Sequence, residues 1–402
     1  MDKSIEKFDV CIIGGSLAGN YLCHLISKFG LTTAVIEEHE QIGLPLQCAG
    51  IVSKKIEKLI ELPNKLILNR VKAAKLVSPS QRSIILSGDE EPLIIDRIGL
   101  DQHFYNLTHS LSNVKFLLGE KFLNFSYIRR KTQVKLCILT SKRKIEAQML
   151  IGCDGPLSSV GKSLKLINNV IYASQIRIKG TYDLDKAVMY FDPRWKELFG
   201  WIVPEGNDIY RIGLATSRSI SNKFRNFLGL LHLDIKNKIS QQGGIIPYGL
   251  MRNLTFDNGF LLGDAACQVK ATTGGGIIML LTAAKIAALA IRAAFKSREF
   301  SSNYLKRKYE KPCNRIIGKE LKIHYIIRLI LEEFKAAEYD TFFNILKTYH
   351  IEKIVSLYGD MDFPKQLIMQ LMKDPLVLEF FLKFFIHRVR LLRKILLIML
   401  KY

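Results

Sequence analysis

The chain has 402 residues, 48% of them hydrophobic, and 59 Lys and Arg against 37 Asp and Glu give a net charge of +22. That length holds more than one domain, and that apolar content excludes a disordered chain. The seven cysteines, at positions 11, 23, 48, 137, 153, 267 and 313, form no C-x-x-C pair. Their odd number and scatter suggest no disulfide framework and give no metal pattern, so no metal is expected.

Met1 to Phe8 are charged and Val10 to Ile13 read as a strand, so no signal peptide is expected and reducing cytosol is the expected compartment. The run Asp9-Val10-Cys11-Ile12-Ile13-Gly14-Gly15-Ser16-Leu17-Ala18-Gly19 predicts a strand, a glycine turn and a helix, with a second strand closing on Glu37. Glycines let backbone approach a pyrophosphate, and the helix N-terminus offers N–H donors and partial positive charge. Glu37 suits the hydroxyls of an adenosine ribose. The fingerprint departs at Ser16, which places a Cβ near the phosphates.

A loop with Pro45-Leu46-Gln47-Cys48-Ala49-Gly50 follows. Residues 71–96 read as short strands with turns at Ser78-Pro79 and Gly88-Asp89, and Asp96-Arg97 leads into a helix near 100–111. Strand-like runs at 114–118, 133–139 and 145–151 end on Cys153-Asp154-Gly155. A second strand-rich region covers 172–216 and continues to Pro247-Tyr248-Gly249. Nucleotide chemistry returns at Gly263-Asp264-Ala265-Ala266, followed by Gly274-Gly275-Gly276 and an apolar helix from about 277 to 295. A late Gly-Asp is where FAD enzymes hold the ribityl chain, so the two signals together point to FAD rather than NAD.

Beyond residue 299 the pattern is helical. After Pro375, residues 376–402 predict one amphipathic helix. At about 100° per residue, Glu379, Lys383, His387, Arg390, Arg393, Lys394 and Lys401 fall in an arc of roughly 120°, with only Arg388 out of place. A broad apolar face beside a basic stripe suits the surface of an anionic bilayer; packing on the protein itself is the alternative. No run reaches ~18 uninterrupted apolar residues, so a span is not expected. Nucleic acid is not expected either, because no recognition module is present.

The elements Gly14–Gly19, Glu37, Pro45-x-x-Cys48-Ala49-Gly50, Arg97, Asp154-Gly155, Gly263-Asp264-Ala265-Ala266 and Thr272-Thr273-Gly274-Gly275-Gly276-Ile277 share one order with the geranylgeranyl reductases. Over about residues 8–295 the chain resembles their archaeal branch, the digeranylgeranylglycerophospholipid reductases. The expected fold class is α/β: a Rossmann-type FAD-binding domain, an inserted antiparallel-sheet substrate domain of the p-hydroxybenzoate-hydroxylase-like kind, and a helical C-terminal region. The expected division is 1–170 and 249–298 for the two parts of the FAD domain, 171–248 for the substrate sheet with strands lent by 71–96, and 299–402 for the helices.

The resemblance implies FAD contacts at Ala18, Glu37, Cys48, Ala49, Gly50, Arg97, Asp264, Gly276 and Ile277; the fingerprints add Gly14, Gly15, Ser16, Gly19, Asp154 and Gly275. Arg97 would face the pyrophosphate, with an ordinary ion pair as the alternative. The glycine run would open a helix towards the flavin ring and stabilise negative charge on its reduced form. Two departures stand out. Ala271 replaces a frequent Pro, and Phe199-Gly200-Trp201-Ile202-Val203-Pro204 carries Phe and Val where Tyr and Phe are common. Phe199, Trp201 and Pro204 are the candidate substrate wall, with core packing the alternative for Trp201.

The implied activity is saturation of isoprenoid C=C bonds in geranylgeranyl lipid chains, by hydride from reduced FAD and a proton from Cys48 or a bound water. The implied electron donor is NAD(P)H, a deazaflavin or reduced ferredoxin. The implied partners are a polyprenyl lipid and an anionic membrane surface, at the inner face of the cell membrane. One rival is a flavin monooxygenase acting on an aromatic, quinone or polyprenyl substrate; those usually place His after G-D-A-A, where this chain has Cys267. Another is a flavin-containing protein whose tail serves only as a tether.

Overall fold

The computed structural model describes residues 5–87, 91–130, 133–180, 185–233, 235–250, 252–348 and 351–401. The expected turn at Gly88-Asp89 lies outside them.

The strand Glu6–Ile13 lies at the centre of the first sheet, parallel to Lys144–Gly152 on one side and Thr33–Ile36 on the other. Val114–Leu117 and Gly259–Leu261 extend it, also in parallel. These strands are short apolar runs because both of their faces are covered. The helix Leu17–Ser27 packs against the long helix Ile277–Ser297, which follows the last strand of the sheet by 16 residues. Ile277–Ser297 is long and apolar enough to cross a membrane, but 72% of its apolar window is buried within the protein. It is a core helix.

The second sheet has seven strands in the order Lys238–Tyr248, Asn169–Lys179, Ile209–Thr216, Gly200–Gly206, Lys186–Tyr190, Ala73–Val77 and Ser83–Ser87. All neighbours are antiparallel except Lys186–Tyr190 with Ala73–Val77. Of the strands expected in 71–96, Leu93–Ile95 goes elsewhere, to a small sheet with Ile51–Val52 and Ile67–Arg70. Further elements lie outside the expected ones. Phe122–Arg130 pairs with Gln133–Thr140 as an antiparallel ribbon, and the helix Ile220–Leu230 inserts Phe224 and Phe227 beneath the second sheet beside Trp195 and Tyr210.

The end of the chain corrects the expectation of one helix over 376–402. Pro375–Ile386 and Val389–Lys401 are separate helices, broken at His387 and Arg388. Pro375 opens the first, and Asp374 caps it by accepting from the N–H groups of Leu376 and Val377. Arg388, the residue out of place in the polar arc, has turned inward. Its Nη2 donates to Glu338 at 2.8 Å and its guanidinium stacks 4.1 Å from the Phe384 ring. Val377 and Phe384 join a core with Ile84, Phe334, Tyr339 and Phe343. Leu382, Ile386 and Val389 point out, 59, 66 and 67% exposed. The tail thus both packs on the protein and shows an apolar face. The Lys401 side chain lies outside the described residues.

Candidate functional site

The glycine turn, Glu37, Arg97, Asp101, Asp154 and Asp264 line a cavity of about 510 Å³. Gly14 has φ +102°, and a Cβ there would lie 2.4 Å from the carbonyl oxygen of Cys153. Only glycine fits such a turn. The Gly15 N–H donates to Glu37 Oε2 at 2.7 Å, and His39 holds the other oxygen through its own N–H at 2.9 Å. Ser16, the departure from the fingerprint, has a definite role. Its Oγ donates to Asp101 Oδ2 at 2.9 Å and ties the turn to the helix Arg97–Asn106. Asn20 completes the tie by donating to the carbonyls of Gly15 and Asp101. Asn20 and Asp101 lie outside the sequence motifs, because the contacts that join the turn to this helix, Ser16–Asp101 and Asn20–Asp101, span 85 and 81 residues.

Arg97 forms an ion pair with Asp101 at 2.9 Å, one turn along its own helix, while its buried Nε meets no acceptor among the described residues. The alternative reading of Arg97, an ion pair, is thus present, and its Nε is left over on the cavity wall. Burial works against its charge, but Asp101 together with Cys48 and Asp264 outweighs burial and holds its pKa above the usual value. Burial raises Asp101 as well, against Arg97 and Ser16. Asp264 is pushed up to about 6 by burial, with Arg97 opposing.

Asp154 lines the cavity, but its carboxylate is occupied locally. It accepts from Ser158 Oγ and from the N–H groups of Ser159 and Val160, at the start of the short helix Ser159–Ser163. Ala18 is on the wall; Gly19 is not, and instead lets the first helix close on the Gly14 carbonyl. Gly276 and Ile277 open the long helix behind Asp264, outside the lining. A glycine turn, the strand-end carboxylate of Glu37, a guanidinium N–H without an acceptor among the described residues and the buried Asp264 carboxylate fit the donor and acceptor set that a flavin dinucleotide requires.

A second cavity of about 400 Å³ adjoins the first. Ala73, Ala173, Met189, Leu198, Phe199, Trp201, Val203 and Ile246 make it apolar, and Ala49, Gly50 and Gly275 share its wall. Pro204 lies in the same strand as Trp201 but outside both linings, its carbonyl accepting from Asn69. Gln47 and Cys48 line both cavities. Cys48 therefore stands where the two meet, its Sγ accepting from the Gly50 N–H at 3.3 Å and its carbonyl from Gln242 at 3.2 Å.

The second sheet fixes this loop. Arg211 donates from Nη1 to the Ala49 carbonyl and from Nε to Glu205, each at 2.8 Å, and Arg177 grips the same Glu205. Burial works to raise Glu205, yet the two arginines outweigh it and hold its pKa below the usual value. Gly50 has φ +76°, and a Cβ there would lie 2.0 Å from Arg211 Nη1. The helix Lys319–Glu332 fixes the glycine-rich loop on the other side. Arg328, fully buried, donates to the carbonyls of Ala271, Thr272 and Lys196 at 2.8–3.0 Å. His324 meets Thr272 Oγ1 at 2.6 Å, and burial with Lys270 nearby lowers its pKa to about 4. Lys270 donates to the buried Asp362 at 2.6 Å. Reading the chain beyond residue 299 only as a helical tail missed all of these supports.

No protein-family model matches the chain. It is 29% identical over 391 residues to digeranylgeranylglycerophospholipid reductase 2 of Methanothermobacter thermautotrophicus, covering 90% of this chain and 98% of that one. The likeness thus exceeds the stretch 8–295 that carries the motifs. A geranylgeranyl bacteriochlorophyll reductase-like protein from Thermoplasma acidophilum shares the fold with a TM-score of 0.78 at 22% identity, over 92% of this chain and 100% of that one. A p-nitrophenol 4-monooxygenase from Pseudomonas putida shares it with a TM-score of 0.66 at 13% identity, over 87% and 97%. The fold is that of flavoprotein reductases and monooxygenases alike.

Proposed function

We propose that this chain, a relative of the digeranylgeranylglycerophospholipid reductases, is an FAD-dependent oxidoreductase that saturates isoprenoid C=C bonds in geranylgeranyl chains of membrane lipids. The observation that carries this reading is the meeting of a dinucleotide-shaped cavity and an apolar cavity at Cys48. A trisubstituted alkene offers no polar handle, so the protein must hold it by shape against a dry wall. Met189, Phe199, Trp201 and Ile246 supply that wall.

FAD, when bound and reduced, supplies the hydride. Glu37 takes the adenosine ribose, the glycine turn and Arg97 the pyrophosphate, and Asp264 the ribityl hydroxyls. The proton goes to the other alkene carbon, which avoids a free carbanion, and comes from the Cys48 thiol or from a water at the same junction. The electrons come from a nicotinamide, a deazaflavin or reduced ferredoxin; anaerobic bleaching of the flavin by each in turn identifies which.

The tail serves this reading as a membrane contact. Leu382, Ile386 and Val389 form an exposed apolar face beside Lys383, Arg390, Arg393 and Lys394, a pattern suited to an anionic bilayer and hence to the cytoplasmic face of the cell membrane. The rival monooxygenase reading shares the fold and is separated by oxygen. Aerobic protein supplied with electrons should show no oxygen uptake dependent on a polyprenyl or aromatic substrate. Substrate-dependent uptake with a hydroxylated product would establish the rival.

A further inference from the structure

One polar side chain on the apolar wall has no part in the reaction proposed above. Gln175, on the strand Asn169–Lys179, is 3% exposed and lines the apolar cavity. Its Oε1 accepts from Trp201 Nε1 at 2.8 Å. An indole only donates, so this bond fixes the amide with its oxygen towards Trp201 and its nitrogen turned away. That nitrogen, Nε2, is buried and meets no acceptor among the described residues. The neighbour across the strand pair, Gln242, already donates to the Cys48 carbonyl. Of the side chains that line the same cavity, Ala73, Ala173, Phe199 and Val203 offer only carbon and Met189 adds only a weakly accepting thioether. A buried donor in such surroundings is costly to leave unmade.

The geometry points to Gln175 as a specificity residue whose Nε2 donates to an oxygen at the head of the prenyl chain, an ether or an alcohol. This rests on the reading that the apolar cavity takes a prenyl chain. The sign of the preference is diagnostic. A wholly apolar pocket disfavours an oxygen-bearing ligand, because the oxygen loses its water. A pocket with a waiting donor prefers the oxygen-bearing ligand and rejects the analogue without it.

The test uses the full-length, FAD-loaded protein in one detergent. Three C20 probes are compared through the shift they cause in flavin absorbance: geranylgeraniol, its methyl ether and the hydrocarbon with the same double bonds. Both oxygenated probes should bind about tenfold or more tighter than the hydrocarbon. Equal binding of the two assigns the ether oxygen as sufficient, while preference for the alcohol alone would overturn the assignment, because Nε2 can donate to either oxygen. Gln175→Leu should abolish or reverse the preference with hydrocarbon affinity kept. Because that change strands the Trp201 indole, Gln175→Leu with Trp201→Phe repeats the test with neither partner left over. A wild-type protein that binds the hydrocarbon as tightly, or a preference that survives both variants, overturns the assignment. Failure of every probe to bind removes the prenyl reading of the cavity and this inference with it.

Discussion

Arg328 Nη2 donates to the Thr272 carbonyl over 2.8 Å, so a residue of the C-terminal helices holds the loop that leads into Gly274–Gly276. The same guanidinium reaches Ala271, Lys196 and Leu198. It therefore joins the glycine-rich loop to the entry of the strand that carries Trp201. A helix that only tethered the protein would have no such contact.

Arg328→Lys should consequently lower both the melting temperature and FAD retention. An unforked ammonium cannot serve four carbonyls in these directions, and each carbonyl left unpaired costs about 1–3 kcal/mol. Thermal melts with and without added FAD check this. Unchanged melting and flavin content would show that the loop stands without Arg328.

Asp264 gives the site a pH dependence. Its pKa is raised from 3.8 to about 6 by burial against the pull of Arg97. In the flavin-free protein its contribution to stability is therefore full below 3.8 and is lost as pH rises through about 6. On the role proposed for Asp264, ribityl hydroxyls would donate to the ionised carboxylate and reverse that preference, so that binding FAD would release a proton. FAD affinity should rise with pH between about 4 and 6 and level off above. Titration of flavin fluorescence across that window reads it directly, and Asp264→Asn should flatten the curve. A flat wild-type curve would place Asp264 away from the flavin.

Cys48→Ser should keep FAD and lose turnover. Serine preserves the size and a hydrogen bond to the Gly50 N–H, but its hydroxyl is a far weaker acid than a thiol. The visible spectrum after reconstitution reports flavin binding, and product formed by pre-reduced protein reports turnover. A wild-type rate would make Cys48 a packing residue and leave water as the proton source.

What the sequence made legible is local chemistry. Gly14, Gly15 and Glu37 were visible because a tight turn and a strand-end acid recur at a fixed spacing, and the structure brings Glu37 onto the Gly15 N–H. Gly50 was visible as part of a motif, but its reason was not. The Arg211 side chain that crowds it lies 161 residues away in sequence, on the second sheet. Arg328, His324 and Asp362 were invisible for the same reason, since a helical pattern reveals a face and not the carbonyl that face will meet. The break at 387–388 left one trace. Amphipathic spacing runs through it almost unbroken, and Arg388, which stands outside the arc, turns inward to Glu338.

That break also changes how the membrane contact is tested. Deleting residues 376–402 would strip Val377 and Phe384 from a shared core, so release from vesicles would be confounded with unfolding. Leu382→Glu with Ile386→Glu changes only exposed positions. The pair should release the protein from anionic liposomes while melting temperature and FAD content stay as in the wild type, and the wild-type binding should weaken with salt. Retention of the variant on anionic vesicles would place the membrane contact elsewhere or remove it.

Whether the two cavities meeting at Cys48 join a flavin to a prenyl chain can be read from one anaerobic turnover. The purified protein is loaded with FAD, reduced chemically, freed of excess reductant and mixed with an unsaturated geranylgeranyl lipid. Flavin absorbance should return at the rate at which the lipid gains two hydrogens per flavin, measured by mass spectrometry of the same samples. Flavin that stays reduced, or that reoxidises with no change in lipid mass, would contradict the assignment.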